Sequence, residues 1–144
     1  MKQTDLMIGD WVQFTYTPYG QNESRTIVFQ VSEVENFSAA GLYFVCGVKY
    51  GRVCEVEKLQ PIPLTAEILE KNGFDGEYKA SYQIYESKEF DVMYISIWKN
   101  RLSIRKSPDI RQPHSSERLS ITCNYVHELQ HAFRLCGIEK EIEL

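Results

Sequence analysis

Leu59-Gln60-Pro61-Ile62-Pro63-Leu64 limits the fold more than any other stretch of this 144-residue chain. Each proline removes a backbone N–H and biases the residue before it toward an extended conformation. Neither a regular helix nor a central strand can run through such a segment. It reads as an extended connector, and the chain divides around it into 1–60, 61–77 and 78–144. That length suits one ordinary domain or two small ones.

The segment before the connector has strand periodicity. Val12, Phe14 and Tyr16 alternate with Trp11, Gln13 and Thr15, as side chains do on the two faces of a strand. Thr17 to Ser24 is rich in turn residues. Thr26 to Ser32 repeats the alternation, with Ile27, Phe29 and Val31 on one face. Leu42 to Val48 and Val53 to Val56 follow, joined by a reversal in which Gly51 is the expected site of positive φ. Short strands with frequent turns predict a partly open barrel, and Gly9-Asp10-Trp11-Val12 resembles the first strand of SH3-like barrels. Trp11, Tyr16, Tyr19 and Tyr43 are candidates for an aromatic groove there.

After the connector, Thr65 is placed to cap a short helix from Ala66 to Asn72, closed by Gly73. Tyr78 to Tyr85 and Phe90 to Trp98 alternate as strands. Lys99-Asn100 makes a two-residue turn into Arg101 to Arg105, and Arg118 to Cys123 is a last strand. Asn124 is the expected N-cap of a helix to Cys136, ended by Gly137. Glu139 to Leu144 is expected to add an edge strand. The fold class is therefore α+β: an N-terminal SH3-like barrel, a short linker helix, and an antiparallel meander packed by a C-terminal helix.

A hydrophobic share of 43% supports a real core, and 25% charged residues is ordinary for a globular chain. The net charge of −4 gives no general attraction to nucleic acid or anionic lipid. No apolar run approaches the roughly 20 residues that cross a bilayer, so no membrane partner is expected. Met1 to Asp5 lacks an apolar core for a secretory signal. Cys46, Cys54, Cys123 and Cys136 form no C-x-x-C pair and read as reduced thiols. A cytoplasmic location follows as an expectation.

His127-Glu128-Leu129-Gln130-His131 matches the zinc-peptidase motif. Two histidines four apart on a helix can share a metal, and Glu128 could activate a bound water. The surroundings speak against catalysis. The third ligand of such enzymes is missing: Gly137 stands six residues past His131, and Arg134 stands where a bend glycine belongs. The apolar stripe is Val126, Leu129, Phe133 and Cys136, which leaves His127 and His131 on a face expected to meet solvent. The match reads as chance, with His127 and His131 kept as a minor metal candidate and no cofactor implied.

A second constellation lies at the hairpin. Lys99, Arg101, Arg105, Lys106, Arg111 and Arg118 crowd its tip and the following loop, with Trp98 and His114 among them. A basic patch with an interleaved aromatic suits single strands or phosphates. Trp98, Lys99, Arg101, Arg105, Lys106 and Arg111 are the nucleic-acid-binding candidates. No phosphate loop, nucleophile elbow or paired-carboxylate cluster is present.

The connector Pro61-Ile62-Pro63-Leu64-Thr65, Gly73-Phe74 and the closing Tyr125-Val126-His127-Glu128-Leu129-Gln130 together resemble a family of small proteins of Bacteroides-group gut bacteria and their prophages and mobile elements. The resemblance spans most of the chain. It implies a cytoplasmic bacterial protein and brings no activity, ligand or catalytic residue. It also implies that other polar residues stand at Glu128 and His131 in relatives, which a zinc site would not survive. The expected function is a non-enzymatic binding or interaction module of a bacterial or prophage gene set, with a protein or a nucleic acid as partner. The alternatives are a nucleic-acid binder using the basic hairpin and a zinc-dependent hydrolase.

Overall fold

The structure, a computed structural model, describes residues 1, 5–37, 42–49, 51–74, 81–86, 92–98, 100–107 and 117–144. At 36–37, 42–44, 51–52, 81–86, 92–94, 98, 105–107 and 117–119 it describes the backbone alone. The protein is α+β, and two antiparallel sheets and two α-helices are seen among the described residues. It separates into two compact units, Met1–Ile62 and Pro63–Leu144.

The first unit contains β1 (Trp11–Tyr16), β2 (Arg25–Phe37), β3 (Leu42–Gly47), β4 (Gly51–Glu55) and β5 (Gln60–Pro61). They form one sheet in the order β4-β3-β2-β1-β5, with a 3-10 turn at Val56–Lys58 between β4 and β5. β2 organises it. Its first half pairs with β1, from Arg25 opposite Tyr16 to Gln30 opposite Trp11. Its second half, Val31 to Phe37, pairs with β3. The change of partner falls at a register shift between Val31 and Glu33, and such a bulge bends a strand and increases its twist. The sheet consequently curls into a half-barrel.

The curl encloses the residues whose alternation the sequence shows. Val12 lies opposite Phe29, and both are buried in one cluster with Val31, Val45, Cys54, Val56 and Leu59. Full burial of one such large apolar side chain is worth about 1.5–3 kcal/mol. Asp10 is fully buried beside this core. Its Oδ2 accepts from Met7 N–H at 2.7 Å and closes the turn that leads into β1.

Two expectations change here. β2 continues past Ser32 to Phe37, because the bulge lets it exchange one neighbour for another. Among the described residues of the β3–β4 reversal, Lys49 takes a positive φ, at 75°. Gly51 already belongs to β4, opposite Gly47.

The connector divides in its middle. Gln60 and Pro61 form β5 at the sheet edge, opposite Gln13 and Val12, where a missing N–H costs least. Pro63 opens the second unit as an isolated bridge to Tyr125. Leu64 N–H then donates to Asn124 O at 2.8 Å.

The second unit contains α1 (Ala66–Lys71), β6 (Ser81–Glu86), β7 (Val92–Trp98), β8 (Arg101–Ser107), β9 (Glu117–Thr122) and α2 (Val126–Leu135). The strands form a meander, β6-β7-β8-β9. Trp98 pairs with Arg101, which leaves two residues of chain between β7 and β8, as the sequence predicts. Ile95 faces Ile104 and Ile97 faces Leu102, and all four are buried.

Both helices end alike. Gly73 N–H donates to Glu70 O and Phe74 N–H to Leu69 O; Gly137 N–H donates to Arg134 O and Ile138 N–H to Phe133 O. This pair of bonds requires a left-handed residue at the stop, and both glycines supply it, at φ 80° and 69°. Phe74 and Ile138 then turn inward and are buried. Thr65 caps α1 as expected, its Oγ1 accepting from Ile68 N–H at 3.3 Å. Glu139 to Leu144 forms no strand. The side chain of Asn72 engages the main chain of Glu143 there. No helix among the described residues is long and apolar enough to cross a membrane.

Candidate functional site

The first turn of α2 holds the metal-like motif, and its chemistry is set by how the helix begins. The N-cap is Tyr125 rather than Asn124. Asn124 is engaged elsewhere: its carbonyl accepts from Leu64 and its Oδ1 from Asn100 Nδ2 at 3.2 Å. The capping task passes to Glu128. Its Oε2 accepts from the N–H groups of Asn124 at 2.6 Å and Tyr125 at 3.1 Å. This is the reach-back half of a capping box, in which the carboxylate satisfies donors the helix leaves open and meets the positive end of the dipole. A general base for a metal-bound water needs that oxygen directed at the water instead.

The histidines also depart from expectation. His127 does not face solvent; it is 6% exposed, and its Nδ1 is sealed from water. The buried arc of α2 is wider than its apolar stripe and takes in Val126, His127, Leu129, Gln130, Ala132 and Phe133. The His127 ring stacks on Tyr125 with centroids 5.8 Å apart and planes within 16°. It meets the His131 ring edge-on at 5.7 Å and 80°. His131 is half-buried. Among the described residues, the group tight enough to hold a metal is Glu33, Glu35 and Cys46, whose ligand atoms lie within 4.8 Å of one another. It does not include the histidines. Sequence spacing gives no hint of it, because the β2–β3 register, not chain distance, sets Glu33 opposite Cys46.

Three of the four thiols offer little chemistry. All four cysteines are free. Burial pushes the Cys54 thiol up to about 11, with Lys58 opposing and Glu55 reinforcing. Burial, reinforced by Glu128, pushes Cys123 up to about 12. Cys136 is raised too, again by burial. A thiol protonated at neutral pH is neither a good nucleophile nor a metal ligand.

At the basic hairpin, Lys99, Arg111 and His114 lie outside the described residues. Trp98, Arg105, Lys106 and Arg118 are described by their strand positions alone. The register sets Trp98 opposite Arg101, Arg105 opposite Arg118, and Lys106 opposite Glu117. Arg101 is exposed, and its Nε donates to Ser120 Oγ at 3.0 Å.

The aromatic candidates of the first unit are better defined. Trp11 is half-buried. Tyr16 is 37% exposed and stacks on Phe14 at 5.7 Å. Tyr19 stands wholly in solvent, at 106% relative exposure. The Tyr43 side chain lies outside the described part. Comparison of the chain with protein-family models, curated proteins and solved structures finds no match.

Proposed function

We propose that the protein is a non-enzymatic, cytoplasmic binding module for a protein partner, of the Bacteroides-group kind its connector and closing helix resemble. Its first unit is an SH3-like barrel. The order β4-β3-β2-β1-β5, the shared and bent β2, and the 3-10 turn before β5 support that reading. In the second unit, α2 packs its apolar stripe on the meander.

The observation that carries the binding reading is Tyr19. A tyrosine ring that stands fully in water keeps its whole apolar face available for a partner to bury. This loop is pinned: Gln21 N–H donates to Pro18 O at 3.1 Å, Thr17 Oγ1 meets Ser24 Oγ at 3.1 Å, and Arg25 donates to Gln21 Oε1 at 3.1 Å. Rigid exposed tyrosines are the kind of anchor that protein interfaces bury. The test is selection from a displayed random-peptide library on wild type and on a Tyr16→Ala/Tyr19→Ala variant of unchanged circular dichroism. Enrichment on wild type that disappears in the variant is expected. No enrichment, or equal enrichment on both, contradicts the reading.

A second reading rests on Arg105 opposite Arg118. Like charges directly opposite one another destabilise a sheet, and a bound phosphate would offset them. Nucleic-acid binding through this hairpin predicts salt-dependent retardation of a mixed oligonucleotide pool, weakened in Arg105→Gln. No retardation at low ionic strength removes it. Zinc hydrolysis gains no support, since Glu128 serves the helix terminus.

A further inference from the structure

We propose that residues 138–144 are a releasable strap, clasped by Asn72 at the C-terminal end of α1, and that the clasp holds the strap by its main chain. Asn72 is the C-cap of α1 and is almost fully buried. Its carboxamide works in both directions. Nδ2 donates to Ile68 O and to Glu143 O, each at 2.7 Å. Oδ1 accepts from Glu143 N–H at 3.0 Å. One side chain thus pairs with both polar groups of a single peptide residue, as a neighbouring strand would.

Two lysines complete the clasp. Lys140 Nζ donates to Asn72 O at 2.6 Å, and Lys71 Nζ donates to Leu144 O. Ile138 and Ile142 are buried, while Glu139, Glu141 and Glu143 are exposed. The Glu143 side chain takes no part in the pairing that holds its own backbone.

The clasp is built to open locally. The strap adds no strand to a sheet, and a segment held by a few bonds opens at a fraction of the global unfolding free energy. Docking also removes water from the Lys140 ammonium, which lowers its pKa, with Glu143 opposing that shift. Because Asn72 caps α1 through Ile68 and holds the strap through Glu143, helix end and strap share one residue. The sequence gives no sign of this, since Asn72 and Glu143 are 71 positions apart.

The experiment is native-state cleavage of the Glu141–Ile142 bond by a glutamate-specific endopeptidase, read by mass spectrometry along a urea series. Wild type is expected to be cut at a rate that depends weakly on urea below the unfolding transition. Asn72→Ala accelerates the cut by about tenfold, the size expected for losing one or two hydrogen bonds. Glu143→Pro removes the strap's N–H without touching α1 and accelerates it in the same direction, which covers the case of an Asn72 variant that fails to fold. Glu143→Ala, which keeps that N–H and loses only the charge beside Lys140, accelerates it much less than Glu143→Pro. Cleavage that tracks global unfolding in every variant overturns the proposal. So does a Glu143→Ala variant that opens as readily as Glu143→Pro.

Discussion

The two units use antiparallel sheet in different ways. In Met1–Ile62 one strand, β2, serves two neighbours in turn, and its bulge curls five strands around a core of their own. In Pro63–Leu144 each strand of the meander keeps its neighbours along its length. The distinctive features there sit at helix ends: Glu128 under α2, Asn72 above α1, and a left-handed glycine after each. One unit depends on a strand bend, the other on helix termini. Substitutions at the two kinds of position should therefore differ in size.

The largest effect is expected at Phe29, which is buried in the core across from Val12. Phe29→Ala should destabilise the protein by about 3–5 kcal/mol, the usual cost of emptying a large core site. A urea midpoint barely moved from wild type would show that the curl encloses no tight core. Next comes the helix terminus. Glu128→Ala should cost about 1 kcal/mol by leaving the Asn124 and Tyr125 donors unsatisfied, with Glu128→Gln retaining part of it. If Glu128→Ala were neutral, the capping role would be wrong.

Much of this contrast was legible in the sequence, and the remainder has identifiable causes. Alternation at Val12, Phe14, Ile27 and Phe29 marks the core face, because a two-residue period survives whatever the sheet does. Thr65, Gly73 and Gly137 mark helix ends, because caps are local chemistry. The extension of β2 to Phe37 was not legible, since it depends on which partner each half finds. Nor was the burial of His127. The stripe of Val126, Leu129 and Phe133 gives the centre of a buried arc but not its width. Asn124 looked like the N-cap because short polar residues suit that position, yet Glu128 at the third helical position took the task. Asn72 acts on Glu143 through bonds that only the folded chain creates.

The smallest effect concerns pH. Burial raises the Cys54 and Cys123 thiols from 9.0 to about 11 and about 12. A folded-state pKa above the unfolded one gives stability that is complete below pH 9.0 and is lost as pH rises through the folded values. Urea midpoints should therefore fall between pH 9 and 11, and fall less in Cys123→Ala relative to its own value at pH 8. An identical slope in both proteins would remove Cys123 as the cause.

The role of the closing helix is tested most directly by zinc content after metal-free purification and exposure to one equivalent of zinc, in wild type and His131→Ala. With Glu128 serving as a cap and His127 buried against Tyr125, both proteins should retain zinc in equal amounts. One zinc per wild-type chain, lost in His131→Ala, would contradict that role and restore the motif as a metal centre.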